Sequence, residues 1–242
     1  MGKTIAVAAE NGVSDDAGQR GVEAVERAFR ILACFDEGEL TLTLAELARR
    51  TGFYKSTILR LCVSLERYGY IVRQPDGRYR LGATVWRLGA RYRQNFTAAD
   101  LIRPELRRLA ETIGETASFY VRDGDSRVCL YRHEPDRAIR HHIVEGARMP
   151  LTAGAASHLL LAWTEEDPRY REIRRVGHAI SLGERDSDIA AIAVPVFSPD
   201  GNLRGALAIS GLITRFDDAR RETVLVALKE SAERIGRQKT AS

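Results

Sequence analysis

Basic side chains that could neutralise a polyanion are concentrated in one part of this 242-residue chain. Between Arg49 and Arg93 there are eleven lysine and arginine residues against two acidic ones, whereas residues 97–242 carry 22 of each sign. A local cationic block beside a neutral body is typical of a nucleic-acid-binding module, because such proteins hold phosphates largely by charge neutralisation. Charge alone leaves a second interpretation open, which is a solvated charged surface.

Side chains for enzymatic chemistry lack the spacing that they need. The chain has no GxSxG, GxxxxGK[ST] or GxGxxG motif. It therefore lacks the usual sequence signals of a serine nucleophile, a phosphate-binding loop and a dinucleotide-binding fold. Ser157 and His158 are neighbours on a predicted helix, where consecutive side chains point about 100° apart, which makes them a poor nucleophile and base pair. We therefore predict no enzyme, no catalytic residues and no cofactor.

Metal and thiol chemistry are also weakly supported. Candidate metal ligands are Glu145 and the five histidines His133, His141, His142, His158 and His178. Because His141 and His142 are consecutive on a predicted strand, they face opposite ways, and a metal sensor stays a weaker alternative with no assigned ligands. The three cysteines lie far apart in apolar runs, so we predict buried thiols in a reducing compartment.

Two helical segments lead into the basic block. Residues 21–35 are predicted to form an amphipathic helix whose apolar stripe is Val22, Val25, Phe29 and Leu32. Residues 43–46 (TLAE) fit a capping box, in which the threonine and glutamate side chains satisfy each other's backbone amides. A second helix is therefore predicted to begin there and to end at Gly52.

A third helix is predicted to present the base-reading side chains. Its apolar residues at i, i+3, i+4 and i+7 would face the core, and they are Ile58, Leu61, Cys62 and Leu65. Lys55, Ser56, Thr57 and Arg60 would then face outward, as in a recognition helix that enters the major groove. Arg60 can form two hydrogen bonds with a guanine edge, whereas the two hydroxyls can contact phosphates or cap their own helix.

A basic hairpin completes the module. Strands are predicted at residues 70–73 and 78–81 on either side of the turn sequence at 74–77 (QPDG). Strand alternation places Arg78 and Arg80 on one face, so this wing would lie along the sugar-phosphate backbone. The predicted partner is double-stranded operator DNA, and the predicted contacts are Arg49, Arg50, Lys55, Ser56, Thr57, Arg60, Arg78 and Arg80.

The remainder of the chain mixes helices and strands. A linker helix carries an apolar stripe suited to dimerisation, formed by Val85, Leu88, Tyr92 and Phe96. A second helix has Pro104 near its start and an apolar face formed by Ile102, Leu106, Leu109 and Ile113. Strands are predicted at residues 117–122, 127–131, 139–144, 189–196 and 203–210, followed by a helix from Asp217.

These elements predict an α+β chain: a winged helix-turn-helix followed by a GAF-like antiparallel sheet with covering helices. The predicted segments are a disordered tail at 1–19, the winged domain at 20–82, the linker helix at 83–98 and an effector-binding domain at 99–242. No run approaches the ~18 apolar residues that cross a bilayer, and no basic, apolar leader opens the chain. We expect a cytoplasmic protein with no membrane partner.

Several blocks of the sequence resemble the IclR family of transcriptional regulators. In the N-terminal half they are residues 21–28 (GVEAVERA), 44–52 (LAELARRTG), 55–57 (KST) and 75–82 (PDGRYRLG). In the C-terminal half they are residues 150–153 (PLTA), 183–184 (GE), 191–197 (AIAVPVF) and 209–211 (ISG). The resemblance implies a homodimer, often paired into a tetramer, that binds palindromic operators, responds to a small metabolite and in most relatives represses. Thr152 stands where a histidine is usual, and the segment between Trp163 and Ile173 is shorter than the family's by about a helix.

The same resemblance places an effector site in the C-terminal domain. In relatives that bind small oxoacids, the position of Ala191 is a cysteine, those of Ala208 and Ser210 are serines, and the backbone near Ala155 and Ala156 holds the carboxylate. Ser181 and Ile189 match further contacts. Because only Ser210 keeps a polar side chain among these three positions, the sequence predicts a larger or more apolar effector, aromatic or acyl in character. A domain that only oligomerises and binds no effector is the remaining alternative.

Overall fold

The computed structural model describes residues 21–36, 39–95, 99–135 and 143–237. It divides into two units, residues 1–89 and 90–242. The tail predicted at 1–19 lies outside the described residues. No helix in the described part of the chain is long and apolar enough to cross a membrane.

The N-terminal unit has the element order of a winged helix-turn-helix. Its elements are α1 (Glu23–Ala33), a 3-10 turn (Cys34–Asp36), α2 (Leu44–Thr51), α3 (Lys55–Arg67), β1 (Ile71–Arg73), β2 (Tyr79–Leu81) and the start of α4 (Ala83–Asn95). The strands pair antiparallel with Ile71 opposite Leu81, and Leu42 bridges to Tyr79. The predicted order of three helices and a hairpin is therefore confirmed.

The limits of α2 follow from its two end residues. Thr43 Oγ1 accepts a hydrogen bond from the Glu46 amide at 3.1 Å, and the Glu46 carboxylate accepts one from the Thr43 amide at 2.6 Å. This amide hydrogen bond is the main reason that the pKa of Glu46 is lowered. At the other end Gly52 has φ 73°, a left-handed conformation that glycine adopts without a steric penalty. The capping box and the stop at Gly52 are confirmed.

The apolar stripe of α1 does not face the core of its unit. That core is formed by Ile31, Cys34, Leu42, Leu47, Ile58, Cys62, Leu65, Ile71 and Tyr79. Helix α1 contributes the fully buried Ile31, with Ala28 and Leu32 packed partly against the cluster. Val22, Val25 and Phe29 are 67%, 49% and 60% exposed. Helical spacing predicted the amphipathic helix correctly, but most of the apolar stripe faces away from the chain's own core.

The C-terminal unit is built on a six-stranded antiparallel sheet with the order β5-β4-β3-β8-β7-β6 across its described residues. The strands are β3 (Thr116–Asp123), β4 (Ser126–His133), β5 (Arg148–Pro150), β6 (Ala179–Leu182), β7 (Ile189–Phe197) and β8 (Leu203–Leu212). The helices are α5 (Ala99–Ile113), α6 (Ala155–Thr164), α7 (Arg171–Val176) and α8 (Asp218–Arg237). This is the predicted α+β, GAF-like architecture.

Alternate residues of β8 pack on opposite faces of the sheet. Leu207 and Ile209 join the core formed with α5 and α8. Ala206 and Ala208 join the second core, which is formed with α6. Because the second face carries small side chains, it leaves space between the sheet and α6.

The short edge strands β5 and β6 were not predicted from the sequence. Each has three or four residues, which is too few for a clear alternation of apolar and polar positions. The strand predicted at 139–144 lies largely outside the described residues, and its last two residues are not in a strand.

Candidate functional site

The outer surface of α3 presents the predicted recognition residues. Lys55, Ser56 and Arg60 are exposed and Thr57 is half-buried, whereas Ile58 is fully buried. Burial of Ile58, Cys62 and Leu65 fixes the rotation of the helix, because residues three and four apart share one face. The polar residues of the first two turns are therefore held outward.

The N-terminus of α3 is not capped by a side chain. Tyr54 occupies the N-cap position in an extended conformation and makes no side-chain cap hydrogen bond. The capping role considered for Ser56 and Thr57 is thus not used. Uncapped amides at a helix N-terminus carry partial positive charge and favour phosphate oxygens, which adds to the charge of Lys55.

Two of the predicted DNA-contacting arginines are engaged inside the unit. Arg50 Nη1 donates to the Cys34 carbonyl at 2.6 Å and Nη2 pairs with Glu39 at 3.3 Å, with only 13% of the side chain exposed. Arg78 Nη1 donates to Thr41 Oγ1 at 3.1 Å. The Arg50 guanidinium thus joins α2 to the 3-10 turn, and its DNA contact stays a prediction. Arg78 is only half-buried, and part of its donor capacity is taken.

The hairpin has two exposed arginines, Arg73 on β1 and Arg80 on β2. Arg80 on β2 is exposed, and Tyr79 beside it is buried. The tip is a tight turn in which the Gly77 amide donates to the Gln74 carbonyl at 2.9 Å and the Arg78 amide donates to Asp76 Oδ1 at 3.0 Å. With the exposed Arg49 of α2, the outward cations of the unit include Arg49, Lys55, Arg60 and Arg80.

The seven predicted effector-binding residues line one cavity of the C-terminal unit. The cavity lies on the α6 side of the sheet and encloses about 480 Å³, counting its open mouth. The predicted residues on its wall are Ala155, Ala156, Ser181, Ile189, Ala191, Ala208 and Ser210. The structure therefore brings together residues that are up to 55 positions apart in the sequence.

Sequence analysis missed the remaining wall residues, three of which are charged. They are Tyr120, Arg127, Ile143, Gly154, Arg185 and Asp186. Arg127 is only 4% exposed, and its Nη1 donates to the Ala153 carbonyl and to Ser157 Oγ. Its guanidinium lies 5.3 Å from the centre of the Tyr120 ring. The sequence held one signal, since Arg127 is two positions before Cys129 on a predicted strand and so shares the face of a buried residue.

The N-terminus of α6 is positioned beside Arg127. Gly154 precedes the helix with φ 95°, and a Cβ at this position would lie 3.4 Å from Arg127 Nη1. The Glu184 carboxylate accepts from the Gly154 amide at 3.0 Å and lies 2.6 Å from His158 Nε2. Partial burial alone would raise the pKa of Glu184, but these hydrogen bonds lower it. They tie the start of α6 to the loop after β6.

The described residues do not place side chains as nucleophilic catalysis or metal binding would require. Ser157 is fully buried and bonded to Arg127, whereas His158 points to Glu184. No group of three potential metal ligands occurs in the part of the chain that is described, and His141 and His142 lie outside it. Burial raises the pKa values of Cys62 and Cys129 to about 11, so these thiols are protonated and unreactive.

Family profiles match both units. Residues 24–75 match the family described as IclR helix-turn-helix domain. Residues 90–171 and 168–237 match the family described as bacterial transcriptional regulator IclR C-terminal. The two C-terminal matches meet at the segment between Trp163 and Ile173 that sequence analysis found short.

Individual relatives cover most of the chain. The HTH-type transcriptional regulator BhcR of Paracoccus denitrificans is 29% identical over 92% of this chain and 88% of its own length. The DNA-binding transcriptional repressor YiaJ of Escherichia coli is 25% identical over 98% of this chain and 95% of its own. An IclR homologue from Microbacterium hydrocarbonoxydans, crystallised with 4-hydroxybenzoate, has the same fold, with a TM-score of 0.74 at 22% identity over 88% of this chain and 97% of that one.

Proposed function

The chain belongs to the IclR family of DNA-binding transcriptional regulators, and we propose that it is a repressor that releases its operator when a small aromatic or acyl metabolite binds. Family membership makes it a regulator with an effector-binding C-terminal domain and not an enzyme. The repressor role, the effector class and the oligomeric state are the parts that we propose.

The observation that carries the DNA-binding proposal is the outward face of α3. Lys55, Ser56 and Arg60 are exposed on the first two turns, whereas Ile58 on the opposite face is buried. A helix that is uncapped at its N-terminus and cationic on its first turns fits the major groove, with Arg60 reading a base edge. The exposed Arg49 and Arg80 would contact phosphates and set the register of the helix on the duplex.

A homodimer is supported by apolar side chains that remain exposed in a single chain. At the N-cap and along α1 these are Val22, Val25 and Phe29, and on α4 they are Trp86, Leu88 and Tyr92, with Trp86 70% exposed. Large apolar side chains that a single chain leaves exposed on a helix face can mark an interaction site. A two-fold dimer would cover it and present two α3 helices to half-sites about 34 Å apart.

The effector proposal rests on the composition of the cavity wall. Ala191 and Ala208 leave space for an apolar body, and Tyr120, Ile143 and Ile189 add apolar surface. The Microbacterium protein, which has the same fold, was crystallised in complex with 4-hydroxybenzoate. Because a ligand shifts an equilibrium only by its difference in affinity for two states, we expect the effector to bind the operator-free state more tightly. Repression is supported by relatives such as YiaJ.

Genome-wide footprinting of the bound sites tests the proposal. We expect discrete sites made of two inverted half-sites, and release of a footprinted fragment in gel shifts when the effector is added. Neighbouring genes would indicate metabolites for a thermal-shift panel, because a ligand that prefers the native state raises its Tm. Binding without discrete sites would contradict the DNA-binding proposal. Discrete sites with no ligand response would favour a C-terminal domain that only oligomerises.

A further inference from the structure

Two apolar side chains lie on the outward face of α3, among the polar residues that would meet DNA. Leu59 is 39% exposed and Val63 is 55% exposed, although the helix buries a separate apolar stripe in the core. Because they are four residues apart, the two side chains are neighbours on one face. Ser56 and Arg60 are also exposed, and the four residues together have the spacing i, i+3, i+4 and i+7 of a single helix face.

Neither folding nor solubility accounts for this apolar pair. A helix face that meets only water is ordinarily polar. Val63 is β-branched, which lowers its helix propensity, so a lysine or glutamate at this position would favour the helix more. A single exposed apolar side chain is common in proteins, but Leu59 and Val63 adjoin each other and the exposed Arg60. The pair therefore indicates a surface that contacts a partner.

Duplex DNA is the partner that the neighbouring groups favour. Lys55 and Arg60 give this surface positive charge, and the helix-turn-helix belongs to a family of DNA-binding regulators. Recognition helices of homeodomains read bases with side chains at the same spacing of i, i+3, i+4 and i+7. In the major groove the thymine 5-methyl is the apolar group of the base edges, and apolar side chains recognise it by contact.

We infer that Leu59 and Val63 recognise thymine through its 5-methyl group, so that each operator half-site carries thymine close to the guanine assigned to Arg60. This inference rests on the proposed function and adds a second kind of base recognition to it. Arg60 would distinguish guanine by hydrogen bonds, whereas Leu59 and Val63 would distinguish thymine by apolar contact. One helix would therefore read two kinds of base with two kinds of side chain.

Deoxyuridine substitution tests the inference, because uracil differs from thymine only by the missing methyl group. Each thymine of a footprinted operator would be replaced in turn, symmetrically in both half-sites, and gel shifts with the full-length chain would measure affinity. Burial of one methyl group changes affinity about fourfold, so replacement in both half-sites should weaken binding about 15-fold at a contacted thymine. Replacement of thymines outside the half-sites should leave affinity unchanged.

Serine variants assign the methyl contact to the two side chains. Leu59→Ser and Val63→Ser should each bind the thymine operator more weakly and lose the preference for thymine over uracil at the position that the missing side chain contacts. Leu59→Met keeps an apolar side chain and should keep the preference. Val226→Ser is the matched control, because Val226 is 54% exposed on α8 in the other unit, and it should change neither operator affinity nor the preference.

The outcomes separate failure of the inference from failure of the proposed function. Equal binding of thymine and deoxyuridine operators by the wild-type chain overturns the inference, as does a preference that survives in both serine variants. If a serine variant does not fold, the deoxyuridine scan of the wild type and the Leu59→Met variant still decide. Serine variants that bind the operator normally but no longer repress in cells would show that the pair contacts a protein, which also overturns the inference. All of these results leave the proposed function standing, whereas a chain without sequence-specific binding refutes both.

Discussion

The two candidate sites of this chain use positive charge in opposite ways. On α3 and β2 the cations are exposed, with Lys55, Arg60 and Arg80 lying on a surface whose fold is set by apolar residues beneath it. In the C-terminal cavity Arg127 is buried and lacks a described acidic partner. Exposed charges stay hydrated and cost little folding free energy, and they act through many weak phosphate contacts. A buried charge is costly and is therefore suited to one specific anion.

Salt concentration should affect DNA binding and effector binding differently, and this difference should be larger than the effect of any single substitution. With Arg49, Lys55, Arg60 and Arg80 as the proposed contacts of each chain, a dimer would neutralise about eight phosphates, and operator affinity should fall about a thousandfold or more between 50 and 200 mM salt. Binding of benzoate, a simple aromatic probe of the proposed effector class, should change much less in the cavity, because buried pairs are weakly screened. Titrations of both ligands across this salt range measure the difference. Parallel salt dependence would show that the cavity charge is exposed in solution.

Arg60→Ala should have the largest effect among single substitutions in the DNA-binding surface. Loss of a bidentate base contact costs about 1 to 3 kcal/mol per half-site and relaxes sequence preference at that position. Gel shifts with operator and unrelated DNA measure both quantities. Arg67→Ala is the matched control, because Arg67 is exposed at the other end of the same helix. Unchanged discrimination in Arg60→Ala would refute its base-reading role.

Ile58→Ala tests the apolar support beneath the exposed cations. The side chain is fully buried, so its truncation should lower the free energy of unfolding by about 2 to 4 kcal/mol. Leu59→Ala, one residue further along and 39% exposed, should cost much less. Denaturant unfolding measures both variants. We expect operator binding to weaken in Ile58→Ala while benzoate binding persists, and loss of both together would show that the two units unfold as one.

Arg80→Ala should produce a smaller and less selective change. A phosphate contact carries no base information, so the variant should bind all DNA more weakly by a similar factor, and its salt slope should fall by about 1 per chain. Arg78→Ala provides the comparison, because the Arg78 guanidinium already donates to Thr41. Sequence-dependent loss in Arg80→Ala would place the wing in a groove instead of along the backbone.

Sequence reasoning worked where the signal was periodic and local. The capping box at Thr43, the stop at Gly52 and the inward stripe of α3 are set by neighbours within a turn or two, and the structure confirms them. The seven residues of the cavity wall came from resemblance to a family, since their proximity is a property of the sheet order. Arg127 was missed because its partners Ala153 and Ser157 are 26 and 30 residues away. The partners of Arg50 were missed for the same reason, since they are 11 and 16 residues away.

The pH dependence of the C-terminal unit should depend in part on Glu184. Hydrogen bonds from Gly154 and His158 lower its pKa below the usual value of 4.5 in the folded chain. The unfolded chain therefore binds the proton first as the pH falls. The stabilisation is complete above about pH 4.5 and is lost as the pH passes through the lowered value.

Glu184→Gln should remove this part of the acid sensitivity. Because over a third of the side chain is exposed, we expect a difference of about 1 kcal/mol or less at neutral pH, which shrinks as the pH falls below 4.5. Glu166→Gln removes an exposed carboxylate that lies beyond the C-terminal end of α6 and serves as the control. Melting curves across this pH range measure the effect. Since Glu184 also holds the start of α6 beside Arg127, benzoate affinity should fall in Glu184→Gln, and an unchanged affinity would show that this tie does not support the cavity.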